Sequence, residues 1–262
     1  MRALDVAGLS VRLGAKTIVD DVSFGVEAGE WLSVIGPNGA GKSTVLNAVA
    51  GLLPRAGDVR LHDASVDAMS RRALARRLAV VAQTPTVPPA ITVFDYVLLG
   101  RTPHIPPLGR EGRADLDAAH RVCERLDLTA FAARRLETLS GGERQRAFLA
   151  RALAQLDGGD RGLLLLDEPT SALDIGHQQE VLELIDTLRG GDRLTVVSTM
   201  HELSAAGQYA DRLLLLSRGR VAAGGTPAEV LTAELLERHY RARVRVIDQD
   251  GHPVIIPMRP SG

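Results

Sequence analysis

Lysine is nearly absent from this chain of 262 residues: it occurs only at Lys16 and Lys42, although Lys and Arg together number 31. Position 42 therefore keeps a lysine where the rest of the sequence prefers arginine. Aromatic residues make up only 3%, too few for the stacking surfaces that bind single-stranded nucleic acid. The net charge is −1, without a long basic run, so no duplex-binding face is advertised and no nucleic-acid partner is expected. Cys123 is the only cysteine. An internal disulfide is impossible, which suits a reducing compartment. No apolar run approaches the length of a membrane span. Asp5 interrupts the apolar core that a signal peptide needs. What remains, 45% hydrophobic and 24% charged, is an ordinary globular composition with enough chain for one large domain or a domain plus a subdomain.

The stretch Gly36-Pro37-Asn38-Gly39-Ala40-Gly41-Lys42-Ser43-Thr44 organises the rest. It follows the pattern G-x-x-x-x-G-K-[ST]. A polyphosphate needs many N–H donors converging on it, and only a loop with few bulky side chains wraps that closely. A helix beginning near Lys42 aims its positive end at the same anion. Lys42 adds a mobile charge for the terminal phosphates, and Ser43 offers a hydroxyl to Mg²⁺. Upstream, Trp31–Ile35 reads as a buried strand; downstream, 42–52 reads as a helix that Gly51 and Pro54 bring to an end.

Elsewhere the pattern predicts an antiparallel pair over 3–13 and 17–24, a strand near 58–61, an Arg-rich helix over 70–77 and a short strand over 79–82 ending in Gln83. Prolines at 85, 88, 89, 103, 106 and 107 force short structure, within which Val93–Leu99 looks helical. Helices over 112–128 and 141–156 complete a mainly helical insertion. The sheet resumes at Leu163–Leu166. Helices 175–189 and 202–209 then alternate with strands 193–198, 212–216 and 220–223, which implies a largely parallel sheet covered by helices. A small piece over 227–258 should hold two short helices and a hairpin turning at Asp250-Gly251.

Two further stretches carry chemistry. Leu163–Leu166 leads into Asp167 and Glu168, a buried strand that delivers carboxylates at its C-terminal edge, where α/β sheets bind ligands. There Asp167 suits a water-mediated hold on Mg²⁺, and Glu168 suits orienting or deprotonating an attacking water. The segment Leu139-Ser140-Gly141-Gly142-Glu143 opens a helix with capping-box spacing between Ser140 and Glu143. Two glycines in a first helical turn cost about 1 kcal/mol each against Ala. They make sense where a large anion approaches the N–H groups.

Taken together, these residues resemble the nucleotide-binding subunit of an ATP-binding-cassette (ABC) transporter across essentially the whole chain. Gly36–Thr44 resembles Walker A, Leu163–Glu168 Walker B and Leu139–Glu143 the signature motif. Gln83 resembles the Q-loop residue, Ser171–Asp174 the D-loop and His201 the switch histidine; by themselves Gln83 would read as a polar strand end and His201 as a solvated loop or capping histidine.

The resemblance implies an α/β P-loop NTPase cassette. Its RecA-like mixed-sheet core would span about 1–85 and 159–225 and include an antiparallel β subdomain. A helical subdomain would cover about 86–158 and a small extension 227–262. It also implies a homodimer in which each ATP lies between one subunit's Walker A and the other's Ser140, Gly141 and Gly142. His201 would bond the γ-phosphate, Asp174 would cross the interface, and Gln83 would sense Mg²⁺ and the attacking water. Permease subunits at the cytoplasmic face of the membrane would be the partners, with a substrate-binding protein acting indirectly. Leu99-Gly100-Arg101-Thr102-Pro103-His104, residues 201–240 and the closing stretch from Asp248 are similar to the subunits that import iron–siderophores, vitamin B12 and haem. The surface around Val93–His104, with Arg101, would then be the permease dock.

Leu13 departs from the family, which has an aromatic there to stack on adenine; Ile18 is another side chain able to complete that pocket. Another ABC importer or exporter, or a non-transport ABC ATPase, is the alternative. The absence of a second cassette or a long coiled coil counts against the non-transport reading, and intact Glu168 and His201 count against a regulatory module that hydrolyses little.

Overall fold

The computed structural model describes residues 1–159, 161–171, 173–190 and 194–259. Along the chain, β1 (Arg2–Leu13) and β2 (Lys16–Glu27) precede β3 (Trp31–Ile35), α1 (Lys42–Val49), β4 (Ala56–Leu61) and β5 (Ala64–Ser65). Next come α2 (Arg71–Ala75), β6 (Leu78–Val81), α3 (Val93–Leu98), α4 (Arg113–Arg125), α5 (Gly141–Leu156), β7 (Gly162–Asp167) and α6 (Ile175–Arg189). The remainder is β8 (Leu194–Thr199), α7 (Leu203–Tyr209), β9 (Arg212–Ser217), β10 (Arg220–Gly225), α8 (Pro227–Val230), α9 (Ala233–Tyr240), β11 (Val244–Gln249) and β12 (His252–Pro257). Expected and observed elements agree in kind, with ends shifted by a few residues. Helix α1 stops at Val49 rather than 52 because Gly51 turns to φ +69°. The expected start of β8 at 193 lies outside the described residues.

By packing, the chain forms two compact units: Met1–Asp67 with Thr195–Gly262, and Ala68–Leu194. In the first unit, β1 pairs antiparallel with β2 and with β4. Their alternating apolar positions, among them Leu4, Val6, Leu9 and Val11, are fully buried, as expected of strands with one face on a core. Strand β3 behaves differently. All five residues are buried, because it runs parallel between β8 and β9, the signature of a central strand in a covered sheet. Trp31 is tolerated there because its polar edge is satisfied. Its ring N–H donates to Ser198 Oγ at 2.9 Å and its backbone N–H to Asp211 at 2.7 Å. The hairpin β11–β12 turns at Asp250 and Gly251, φ +54° and +85°, the pair of positive angles that a two-residue Asp-Gly turn requires.

In the second unit β6 and β7 lie parallel, and helices α3, α4 and α5 pack beside them. The Leu99–His104 segment forms a 3-10 helix within this packing. Arg101 is only 7% exposed. Its guanidinium donates to the carbonyls of Ala154 and Asp157 at 2.8 and 2.7 Å and pairs with Asp115 at 3.2 Å. A Cβ on Gly100 would sit 2.2 Å from the carbonyl oxygen of Arg151, and the His104 ring meets the carbonyl of Gln155. The segment is an internal brace against the end of α5. The expectation that Arg101 faces a permease is therefore corrected: its charge is spent on helix-end carbonyls and one carboxylate. Removing one partner of a buried pair leaves the other uncompensated. Arg101→Ala should thus destabilise the isolated subunit by about 3 kcal/mol, read as a lower midpoint in urea. An unchanged midpoint would mean that water replaces the guanidinium without loss.

Candidate functional site

In the first unit, the phosphate loop joins β3 to α1. Gly36 has φ +151°, and a Cβ there would lie 2.2 Å from the backbone oxygen of Leu216 on β9. Only glycine fits between the loop and that strand. Gly41 caps α1 in a left-handed conformation, φ +101°. The first turn of α1 therefore opens directly onto the loop. Ala40 N–H donates to the Pro37 carbonyl, and the Ala40 carbonyl accepts from Gly219 N–H. The loop is thus fastened at its middle as well as its ends. Lys42 is buried, and its Nζ donates to the Gly36 carbonyl at 2.9 Å, folded back across the loop mouth. Ser43 and Thr44 follow in the first turn of α1, half-buried, while Asn38 and Gly39 are exposed at the loop tip.

Strand register places His201 in the same unit. Val34 of β3 lies opposite Thr199 of β8 in parallel pairing. Two residues on, Gly36 and His201 leave the sheet at the same edge, and His201 is exposed there. On the other side of the loop, the Ile18 carbonyl would be 3.2 Å from a Cβ on Gly41. Leu13, paired with Lys16 at the β1–β2 turn, is 47% exposed.

The second unit repeats the logic. Val81 of β6 lies opposite Leu166 of β7, so Gln83 and Glu168 emerge at equal offsets beyond the strands. Gln83 Nε2 donates to Glu168 Oε2 at 2.6 Å. Glu168 has φ +50°. A side-chain-bearing residue held in that region costs roughly 1–3 kcal/mol and persists where the surroundings impose it, commonly at functional sites. Asp167, the last residue of β7, is half-buried beside it.

The signature segment forms the full capping box: Glu143 N–H donates to Ser140 Oγ at 3.3 Å, and Ser140 N–H to Glu143 at 2.8 Å. The Ser140 N–H, donating to the Glu143 carboxylate, holds that carboxyl below the usual range. The glycines have a second reason, not visible in the sequence. A Cβ on Gly142 would lie 2.5 Å from the His177 ring, and one on Gly141 would lie 3.0 Å from the Leu173 side chain. Asp174 caps α6, accepting from His177 N–H at 3.0 Å, and its carboxylate also meets His177 Nδ1 at 2.8 Å. Gln178 donates to the Leu173 carbonyl at 2.9 Å. Ala172 of the D-loop lies outside the described residues. His177 and Gln178 lie outside the sequence motifs; for His177 the spacing Asp174-x-x-His177, a cap and its third helical residue, is the signal in the chain.

The first unit thus carries a loop of the phosphate-binding pattern, and the second carries a strand-end carboxylate held by a glutamine and glycines at a capped helix start. A family model described as ABC transporter matches residues 19–171. The chain belongs to the ABC transporter family. The cassette is 37% identical over 253 residues to the ferric enterobactin transport ATP-binding protein FepC of Escherichia coli, covering 95% of this chain and 92% of that one. It is 45% identical over 248 residues to the hemin import ATP-binding protein HmuV of Nocardia farcinica, covering 94% and 84%. Among solved structures it is similar to a metal-chelate type ABC transporter in an inward-facing conformation, with TM-score 0.84, 30% identity and coverage of 99% and 98%. The mixed α/β fold expected from the sequence is that of these cassettes. No described helix is long and apolar enough to cross a membrane.

Proposed function

We propose that this chain is the ATP-hydrolysing subunit of an importer that moves an iron–siderophore, haem or cobalamin-type cargo through separate permease subunits. The observation that carries the reading is Glu168, turned out of β7 at φ +50° and held by Gln83. That carboxylate serves as the acceptor for the proton of the attacking water. Lys42 and the loop N–H groups take the phosphates, and His201 approaches the terminal one. Asp167, Gln83 and Ser43 offer the hard oxygen donors that Mg²⁺ accepts. The described residues contain no cluster of three or more acidic, His or Cys ligands, which suits an ion that keeps several waters and leans on substrate phosphates. Mg²⁺ when bound neutralises charge on the β- and γ-oxygens.

The cassette works as a homodimer at the cytoplasmic face of the membrane, with the signature glycines of one copy meeting the nucleotide held by the other. A substrate-binding protein hands cargo to the permease. With Arg101 turned inward, the better permease dock is a groove of about 240 Å³ lined by Val87, Pro88, Pro89, Leu136 and Arg144. Prolines hold its rim in shape, and Glu137 and Arg144 bring charge beside the apolar lining. Val87→Asp should cut transport at least about tenfold, as loss of an interface anchor does, and leave the free subunit's ATPase intact. Equal transport by wild type and variant would move the dock elsewhere. The function itself is tested by reconstituting the chain with its permease in liposomes and measuring ATP-dependent uptake of ferric siderophore, haem and cobalamin. Hydrolysis without uptake of any of them would sink the import reading.

Leu13 bears on the nucleotide base. An aromatic ring stacked on adenine contributes roughly 0.5–1.5 kcal/mol beyond its area. Leu13→Tyr should therefore tighten ATP binding by roughly two- to tenfold and leave maximal turnover unchanged. Equal dissociation constants in ATP titrations of the two proteins would mean that Ile18, nearer the loop, covers the base alone.

A further inference from the structure

We infer that His177 is a positioning residue that couples the D-loop to the signature motif within one subunit. The inference rests on the reading of Ser140–Gly142 as the segment that meets a nucleotide, and it adds a residue to that site. His177 is the third residue of α6, where a Glu or Gln ordinarily reaches back to the cap's backbone. Here the side chain reaches the cap's carboxylate instead, with Nδ1 2.8 Å from Asp174 Oδ1.

The direction of that bond follows from the charge. Hydrogen bonds from the His177 backbone and ring hold the Asp174 carboxyl below its usual range. An ionised carboxylate only accepts, so Nδ1 carries the proton and donates it. With one edge of the ring tied down in this way, the opposite edge is not free to swing. Its Cδ2 lies 2.5 Å, and its Cγ 3.3 Å, from where a Cβ on Gly142 would be. The glycine backbone and the imidazole edge are in contact, with no room for a methyl group between them.

One five-membered ring thus joins two segments, Gly142 and Asp174, that lie far apart in the sequence. Leu173 does the same for Gly141 by apolar contact alone. A shift of Asp174 moves the ring, and the ring sets the position of the Gly142 N–H at the start of α5. The D-loop and the signature glycines then move as one body when a second copy closes on them. Neither half of the ring is dispensable in this arrangement. The N–H edge reads Asp174, and the C–H edge supports Gly142.

Two variants separate the halves. His177→Phe keeps a ring beside Gly142 but donates nothing to Asp174; His177→Gln keeps a donor within reach of Asp174 without the ring. Each is measured with His177→Ala and the parent in two assays: steady-state ATP hydrolysis, and ATP-driven dimer formation in a Glu168→Gln background followed by light scattering. Nucleotide affinity of the monomer and the thermal midpoint are recorded for all four. The Walker A loop of the same subunit binds ATP without this ring, so the expectation is a split: kcat and dimer formation fall about tenfold in Ala and Phe, while monomer affinity and midpoint stay unchanged. Partial recovery in Gln completes the expected pattern. If Phe matches the parent in both assays, the hydrogen bond to Asp174 carries nothing and the coupling is overturned. If Ala matches the parent, His177 has no positioning role at all. A fall in midpoint that parallels the fall in kcat would also overturn it, because His177 would then be a stability residue. Failure of the parent to dimerise with ATP or to hydrolyse it would instead bring down the functional reading beneath.

Discussion

Glu168→Gln should bind ATP normally and lose turnover by roughly 10²–10⁴-fold, the usual worth of a positioned general base. The amide keeps the size and the turn of the carboxylate but cannot take a proton from water. Gln83 can still donate to the amide oxygen, so the bond observed at 2.6 Å survives in altered strength and the φ +50° turn has no reason to relax. Affinity and fold are therefore spared while the chemical step is lost. On the proposed function the same variant should accumulate as an ATP-bound dimer. Single-turnover hydrolysis and size-exclusion chromatography with ATP and Mg²⁺ test both halves. Near-normal turnover would remove Glu168 from the reaction and leave it as a strained strand end.

Gly36→Ala should unfold the phosphate loop rather than merely weaken it. The new methyl group would lie 2.2 Å from the Leu216 carbonyl oxygen, and φ is +151°. The obstacle is backbone in β9, which pairs with β3 along its length and cannot turn aside as a side chain would. Overpacking costs about 1–3 kcal/mol and a disfavoured backbone angle a similar amount. A loss of about 3 kcal/mol or more is expected, with a fall of roughly 5–10 °C in the thermal midpoint. Nucleotide binding should vanish with it. Lys42→Ala makes the useful contrast. Lys42 donates to the Gly36 carbonyl and brings charge to the loop; hydrogen bonds to charged groups contribute about 1.5–3 kcal/mol. Its loss should weaken ATP binding by roughly 10- to 100-fold, with a smaller fall in the midpoint than Gly36→Ala produces. Paired calorimetry and nucleotide titration distinguish the two. If Gly36→Ala melts with the wild type, the loop and β9 separate more easily than their contact implies.

Much of this was legible in the chain. Apolar runs bounded by glycine and proline give the strands, since burial on both faces removes the need for alternation; Trp31–Ile35 and Leu163–Leu166 show this, and both are buried throughout. The cap at Ser140 lies where a hydroxyl meets the next turn's N–H, a purely local matter that sequence spacing determines. Glycine, lysine and serine in the phosphate loop are likewise local, because the whole pattern lies within one stretch, Gly36–Thr44.

What only the tertiary structure decided is which residue stands against which. Parallel register between β6 and β7 puts Gln83 on Glu168, and register between β3 and β8 brings His201 level with Gly36; no spacing along the chain encodes an offset between strands over eighty residues apart. Arg101 illustrates the same limit in reverse. An arginine between a glycine and a proline-rich stretch looks like surface, yet the end of α5 offers it two carbonyls and α4 a carboxylate, and burial follows. The glycines of the signature segment, intelligible in the sequence as room for an anion, prove also to be room for His177 and Leu173. Composition, caps and loops follow from short-range sterics and hydrogen bonding. Partners in space follow from the packing of the whole chain, which is decided by all of its apolar surface at once.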